Sequence, residues 1–207
     1  MENIIKAHLL KADLIEIDSE LKADGIQDMK SIILIKHLLI TISNLVDFEA
    51  SQRRLYKENQ ELSALFKDVR PLYDFAKYLR NKFVGHIKPE LLEKAIEWRP
   101  ELRYMLSRLN ERDVMVVYNL YILETAINSY VDSNGKHKVF RNETDLNYPP
   151  DLEKFGHFLQ SLIVGSLSYL EALVAVLSER VEFLSPQEQN IEHWIKAGET
   201  EFSFIKK

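Results

Sequence analysis

The chain of 207 residues has no cysteine, only six glycines and six prolines, and no uninterrupted apolar run at its amino terminus. The absence of cysteine excludes disulfides, thiolate metal sites and cysteine nucleophiles. The first residues, MENIIKAHLLKADLIEIDSEL, carry charges throughout, so we expect no export signal and a cytoplasmic protein. The most apolar segment, residues 158–177, is interrupted by five polar residues, which favours a buried helix over a membrane span.

Several catalytic and binding motifs are also missing from the sequence. It contains no G-x-x-x-x-G-K-[ST] phosphate loop, no G-x-G-x-x-G fingerprint and no G-x-S-x-G nucleophile elbow. Helical bundles that hold two iron or manganese ions use a Glu-x-x-His pair, which is absent here as well. We therefore expect neither a metal nor a cofactor.

Apolar residues recur at steps of three and four nearly everywhere, which predicts an all-α fold, an antiparallel helical bundle with a C-terminal helical extension. Residues 1–131 are predicted to form the helical core, 132–150 a long loop or short hairpin, and 151–207 C-terminal helices that pack on the core, in one compact domain. The predicted helices are residues 2–23, 28–50 with a polar continuation to 66, 71–84, 89–97, 99–131, 151–183 and 186–197.

The loop VDSNGKHKVFRNETDLNYPP is the one long break between helices. Asn134-Gly135 suits a tight turn with positive φ, and a hairpin that pairs residues 130–131 with 138–140 is compatible with it. Loops of this length are often binding loops or lids, or are simply disordered. His137 lies among lysines and an arginine, so it is either part of a solvated loop or a further contact for phosphates.

Small residues form a stripe along the last long predicted helix, at Ser161, Gly165, Ser168, Ala172 and Ala175. Such a stripe lets another backbone come close. It fits either packing within the core or a seam between two copies of the chain.

The segment PLYDFAKYLRNKFVGH, residues 71–86, predicts an amphipathic helix with Pro71 at its first position and a left-handed Gly85 at its end. On a continuous α-helix, residues six apart lie about 240° apart around the axis. Arg80 and His86 would then face different directions. If the chain turns at Gly85, His86 is expected to fold back towards Arg80.

Positive charge is concentrated around this segment. Residues 70–88 contain five lysines or arginines against Asp74, a net charge of +4 with histidine neutral, which leaves −9 for the rest of a chain whose total is −5. A phosphodiester substrate needs such a local counter-charge on an acidic protein. Lysines that complement the end of a helix dipole would give the same pattern.

Arg80-Asn81, followed by four residues and His86 at the end of an amphipathic helix in an all-α chain, resembles the signature of the HEPN superfamily. The resemblance implies a metal-independent endoribonuclease that acts as a homodimer, with two copies of the motif lining one cleft. His86 would be the acid/base or ribose-orienting residue, Arg80 would bind the scissile phosphate and Asn81 would position one or both.

The same resemblance implies RNA cleavage by 2′-hydroxyl transesterification and a role as a toxin or phage-defence effector, with a small nucleotidyltransferase antitoxin as a partner and no membrane partner. Lys77, Lys82 and Lys88 are the candidates for binding RNA phosphates. Two other classes of function fit the sequence. One is a non-catalytic protein-interaction module with the same fold, and the other is a small-molecule or nucleotide-binding protein in which Arg80 and Lys82 hold a phosphate.

Overall fold

The computed structural model describes residues 1–24, 26, 28–108, 110–182, 191–201 and 203, and within them the fold is all-α. The α-helices are α1 (Glu2–Asp24), α2 (Met29–Gln52), α3 (Gln60–Leu79), α4 (Pro89–Trp98), α5 (Arg112–Asn128), α6 (Pro149–Ser178) and α7 (Ile191–Gly198). Short 3-10 helices cover Arg53–Lys57, Pro100–Arg103 and Leu106–Arg108. A single π-helical turn, Arg80–Gly85, continues α3 and is called the π turn below.

Four long helices form the core of the molecule, because α1 packs on α2, α2 on α3, α3 on α6 and α6 back on α1. Neighbours run antiparallel. Across the α3–α6 interface the rings of Phe66 and Tyr169 lie 5.5 Å apart, and those of Phe75 and Phe158 lie 5.0 Å apart, so partner numbers fall along α6 as they rise along α3. α5 packs on α2, α3 and the π turn and contributes Leu123, Ala126 and Ile127 to the core, and α4 packs on α5.

Aliphatic and aromatic residues at helical spacing fill this core. α2 shows the pattern most fully, because Ile35, Leu38, Leu39, Ile42 and Leu45 are completely buried. Each such side chain contributes about 1.5–3 kcal/mol through the hydrophobic effect. The predicted all-α fold class is confirmed.

The predicted continuation of the second helix to residue 66 was wrong, because α2 ends at Gln52 and α3 begins at Gln60. Two further helix boundaries were predicted wrongly at prolines. Pro71 does not begin a helix. It lies on the exposed side of α3, because the apolar stripe starts earlier, at Leu62 and Phe66. The predicted helix 99–131 begins only at Arg112. Pro100 disfavours α-helical backbone at the residue before it, and Arg99 accordingly has φ −128° and ψ 74°.

The loop between α5 and α6 is held against the core rather than standing free. The predicted hairpin shrinks to one antiparallel bridge between Val131 and His137, with a bond of 3.0 Å from the amide of Lys138 to the carbonyl of Tyr130. Gly135 has the predicted positive φ, at 76°. Further along, Phe140 is buried in the main core.

His137 is a buried structural residue, so the prediction that it sits in a solvated loop or touches phosphates was wrong. Its Nε2 donates to the carbonyl of Ile127 at 2.9 Å, and its Nδ1 accepts from the amides of Val139 and Phe140 at 3.1 and 2.8 Å. These partners require a neutral ring with the proton on Nε2. Burial lowers the pKa of His137, in agreement with that state.

The C-terminal part differs between its two helices. α6 is a core helix that ends at Ser178, five residues before the predicted end. The large apolar side chains of α7, at Ile191, Trp194 and Ile195, are exposed. The first part of the predicted helix 186–197, residues 186–190, lies outside the described residues.

Two stretches, Met29–Lys57 and Pro149–Ser178, are long and apolar enough to cross a membrane by length and composition alone. This is weak support for a membrane protein, because core helices of soluble proteins pass the same test. Both α2 and α6 contribute many side chains to the core.

Candidate active site at the π turn

The π turn places the Arg80-Asn81 motif at the edge of the bundle. α3 is regular up to Leu79, after which the backbone widens into π geometry from Arg80 to Gly85. Phe83 anchors the turn, because its side chain is only 1% exposed and packs in the core. Isolated π-helical turns are rare and occur frequently at functional sites.

Neighbouring residues hold the guanidinium of Arg80 in place. Its Nη1 donates to Oδ1 of Asn81 at 3.0 Å. It also lies against Gly85, where a Cβ atom would come within 3.2 Å of Nη1 and 3.4 Å of Cζ. The Nε of Arg80 is buried and has no hydrogen-bond partner among the described residues. A buried donor without a protein partner is uncommon and is explained by strain, by a catalytic role or by a bound water or ion.

Gly85 acts differently from the prediction. It does not adopt a left-handed conformation, so the predicted left-handed helix end was wrong. The π turn carries the chain past Gly85, and His86 then leaves the helix in extended conformation, with φ −145° and ψ 107°. Glycine leaves room here for the guanidinium of Arg80, which a Cβ atom would displace by a few tenths of an ångström. Arg80 therefore lies directly beside the residue that precedes His86.

The imidazole of His86 is exposed and makes no hydrogen bond or ion pair within the described part of the chain. It contrasts with His137, whose two ring nitrogens are both used by the loop. A histidine with free ring nitrogens near neutral pH can accept or donate a proton to a ligand.

Two of the three candidate phosphate-binding lysines border one open cavity of about 540 Å³. Lys82 and Lys88 line it together with Lys94 of α4 and Tyr78 of α3. Tyr78 is fixed by a bond of 3.1 Å from its hydroxyl to the carbonyl of Ser129. Lys94 is paired with Glu97 at 3.3 Å and Glu90 also lines the cavity, so Lys82 and Lys88 supply the positive charge of this concave surface.

Lys77, the third candidate, points to a different surface. Its Nζ forms an ion pair of 3.2 Å with Asp47 of α2. A partly exposed pair of this kind contributes little to stability, about 0–1 kcal/mol. It does reduce the positive charge that Lys77 offers to an anion.

Sequence reasoning missed Lys36 and Lys94. Lys36 lies in the apolar run SIILIKHLLI, and its Nζ sits 4.7 Å from the centre of the Phe83 ring and 2.7 Å from Oδ1 of Asn119. Burial lowers its pKa. The sequence signal for Lys36 was its position as the single lysine within an apolar helical segment. No sequence signal pointed to Lys94, because only the fold brings α4 beside the π turn.

The described residues contain no group of three or more histidine, aspartate or glutamate side chains arranged to hold a metal ion. Comparison with known proteins gives no further guide, because no family model, no curated protein and no solved structure matches the chain. The functional assignment rests on the residues of the chain itself.

Proposed function

We propose that this protein is a HEPN-like, metal-independent endoribonuclease that cleaves RNA at a composite site of a homodimer. The observation that carries the proposal is the position of the Arg80 guanidinium, which Asn81 and the bare Cα of Gly85 hold beside the start of His86. A cation held beside the residue that precedes a free histidine offers the two groups, a phosphate-binding cation and a proton-transfer group, that metal-free phosphodiester cleavage requires.

The chemistry assigns a role to each of these groups. The 2′-hydroxyl attacks the adjacent phosphorus, its proton passes to a base, and the 5′-oxygen leaves with a proton from an acid. The products are a 2′,3′-cyclic phosphate and a 5′-hydroxyl. Arg80 stabilises the negative charge that develops on the phosphorane oxygens. His86 transfers a proton, which typically contributes about 10²–10⁴ in rate.

One histidine cannot be base and acid in the same step, so two copies of the motif are required. A homodimer supplies them, with one His86 accepting the 2′ proton and the other protonating the leaving oxygen. Lys82 and Lys88 would bind flanking phosphates and raise the local concentration of RNA on an otherwise acidic protein. A cytoplasmic toxin or phage-defence effector, restrained by an antitoxin, is the setting that suits this activity.

The test is cleavage of structured and unstructured RNA in EDTA by the wild type, Arg80→Ala and His86→Ala. We expect metal-independent cleavage with cyclic phosphate ends, reduced at least about 100-fold in each variant. Matched controls are Arg54→Ala and His157→Ala, which remove the same side chains from exposed positions away from the π turn. Equal activity in all five proteins, or none in the wild type, would refute the proposal.

Gly85→Ala gives a finer test of the geometry. The added Cβ would lie 3.2 Å from Nη1 of Arg80, so the guanidinium must move by a few tenths of an ångström. Because the end of that side chain is flexible, we expect the thermal midpoint to stay near the wild-type value while kcat falls. Light scattering at the assay concentration completes the set, since a strict monomer is incompatible with a composite site.

The second candidate function is a non-catalytic interaction module. It is favoured by the exposed apolar side chains of α1, at Ile5, Leu9 and Ile15, which are 53, 64 and 49% exposed. An absence of RNA cleavage, together with a dimer interface that Leu9→Glu disrupts, would favour this function over the ribonuclease.

A further inference from the structure

A second cavity, of about 450 Å³, lies at the other end of α4, beneath the loop that joins α5 to α6. Its walls combine the indole of Trp98, the cations Lys136 and Arg141, the amides of Asn128 and Asn142, and the carboxylate of Glu143. The volume is within the range of small-ligand sites, about 300–1,000 Å³. None of these residues belongs to the π turn.

The two cations of this cavity are free to bind an anion. Neither Lys136 Nζ nor the guanidinium of Arg141 makes a hydrogen bond or ion pair in the described part of the chain. Neighbouring cations of the loop are engaged, because Lys138 lies over the ring of Tyr130 and Lys154 donates to the carbonyl of Phe140. The free cations are therefore the ones that line the cavity.

Arg141 is also held in an unusual backbone conformation, with φ 66°. It is the only described residue other than glycine with positive φ. A residue with a side chain rarely adopts this region, and such strain persists where surrounding structure enforces it. Here residues before and after Arg141 in the chain enforce it. Phe140 is buried, and the side chain of Asn128 hydrogen-bonds to both the amide and the carbonyl of Thr144.

Trp98 supplies a flat apolar surface at the same cavity. Trp98, the last residue of α4, is 42% exposed. Lys94 Nζ lies over one face of the ring, 5.3 Å from its centre, so a base that enters the cavity stacks on the face that Lys94 does not cover. Aromatic rings beside cations are the recurrent means of binding unpaired nucleotides, with the base stacked and the phosphate held by charge.

We infer that this cavity binds an unpaired nucleotide, with its base stacked on Trp98 and its phosphate held by Lys136 and Arg141. The ligand is either a free nucleotide or one nucleotide within a single strand, since both present the same base and phosphate. The site is separate from Arg80 and His86, and nucleotide binding does not depend on cleavage there.

The test uses the fluorescence of Trp98 as a direct reporter. The chain has two tryptophans, so Trp194→Phe, on exposed α7, leaves Trp98 as the only one. In that background we expect saturable quenching by AMP. Ribose 5-phosphate lacks the base and should bind about 5- to 150-fold more weakly, the range set by one stacking contact. Adenosine lacks the phosphate and should lose about 10-fold or more.

Arg141→Gly and Lys136→Gln should each weaken AMP binding about 10-fold or more. Arg141→Gly is informative because glycine accepts φ 66° without strain, so lost binding cannot be attributed to a damaged fold when the thermal midpoint is not lowered. Arg54→Gln removes an exposed cation of the 3-10 helix that follows α2; it is the matched control and should bind as the wild type does.

A single-stranded oligoadenylate titrated in parallel separates the two sources of the ligand. Tighter binding of the oligonucleotide than of AMP assigns the site to single strands, and equal or weaker binding assigns it to free nucleotides. The inference is overturned if neither probe quenches Trp98 saturably, if ribose 5-phosphate binds as tightly as AMP, or if Arg141→Gly and Lys136→Gln bind AMP as the wild type does.

Discussion

Gly165→Ala should destabilise the bundle, although alanine is the better helix former. In α6, a Cβ at position 165 would lie 2.5 Å from Cγ2 and 3.0 Å from Cγ1 of Val69 on α3. Val69 is buried, and a valine in a helix strongly prefers one rotamer, so its methyl groups cannot turn away. Gly165 therefore sets the distance between α3 and α6.

The magnitude follows from two opposing terms. Alanine in place of glycine within a helix stabilises by about 0.8–1.0 kcal/mol. Overpacking by one methyl group in a filled core costs about 1–3 kcal/mol. The net loss is therefore up to about 2 kcal/mol, which lowers the thermal midpoint of a domain of this size by several degrees.

Gly156→Ala is the matched control in the same helix, because a Cβ there meets no atom within 4 Å. It should stabilise by the full helix-propensity gain. In a Val69→Ala background the obstructing methyl groups are gone, so Gly165→Ala should become stabilising as well. Urea denaturation of the wild type, Val69→Ala, Gly165→Ala and the double variant measures the coupling between positions 69 and 165. Equal stabilisation by Gly156→Ala and Gly165→Ala in the wild-type background would refute the reasoning.

The other predictions concern the buried polar groups that fix the long loop. Burial lowers the pKa of His137, so the unfolded chain binds a proton first as pH falls, and stability should drop below about pH 6.5 by up to about 1.4 kcal/mol per pH unit. His137→Gln should flatten that dependence in urea titrations from pH 7.5 to 5, and an unchanged slope would contradict it. Arg99→Met should cost about 3 kcal/mol, because it leaves the buried Glu124, bound by Arg99 at 2.6 Å, without its cation. Adding Glu124→Gln should recover part of the loss, and equal stability of the single and double variants would count against the ion pair.

Helical periodicity predicted most of the fold because burial enforces it. The apolar residues of α1, α2 and α6 recur at three and four residue steps, and those helices were predicted to within a few residues, apart from the end of α6. The failures came where one residue overrides periodicity. Pro100 stops a helix that the apolar pattern alone would begin at residue 99, and Pro71 does not start one because α3 already passes through it.

The structure explains one residue of the small-residue stripe on α6. Gly165 is used within the chain, in contact with Val69, as packing in the core requires. Ser161, Ser168 and Ala175 remain on the exposed side of the helix. The alternative of a dimer seam is therefore confined to these exposed positions.

The sequence shows which residues make up the candidate site but not the backbone geometry that joins them. The Arg80, Asn81 and Gly85 combination was visible in the sequence, but a π turn is not, because its hydrogen-bond shift depends on how Phe83 seats in the core. For His137 the residue type and its neighbours were misleading. The cationic neighbours suggested an exposed side chain, whereas the ring is buried and its Nδ1 accepts hydrogen bonds from the amides of Val139 and Phe140.

α4 separates the two basic cavities and decides whether they act together. Lys88 and Trp98 stand at its two ends, about 15 Å apart by helical rise. Between them, Glu90, Glu93 and Glu97 outnumber Lys94, so the outer face of α4 is acidic and repels a phosphate backbone laid along it. A single RNA strand bound in both cavities would place its phosphates against these carboxylates. The charge pattern thus favours independent sites, and Arg80→Ala should abolish RNA cleavage while leaving the affinity for AMP unchanged.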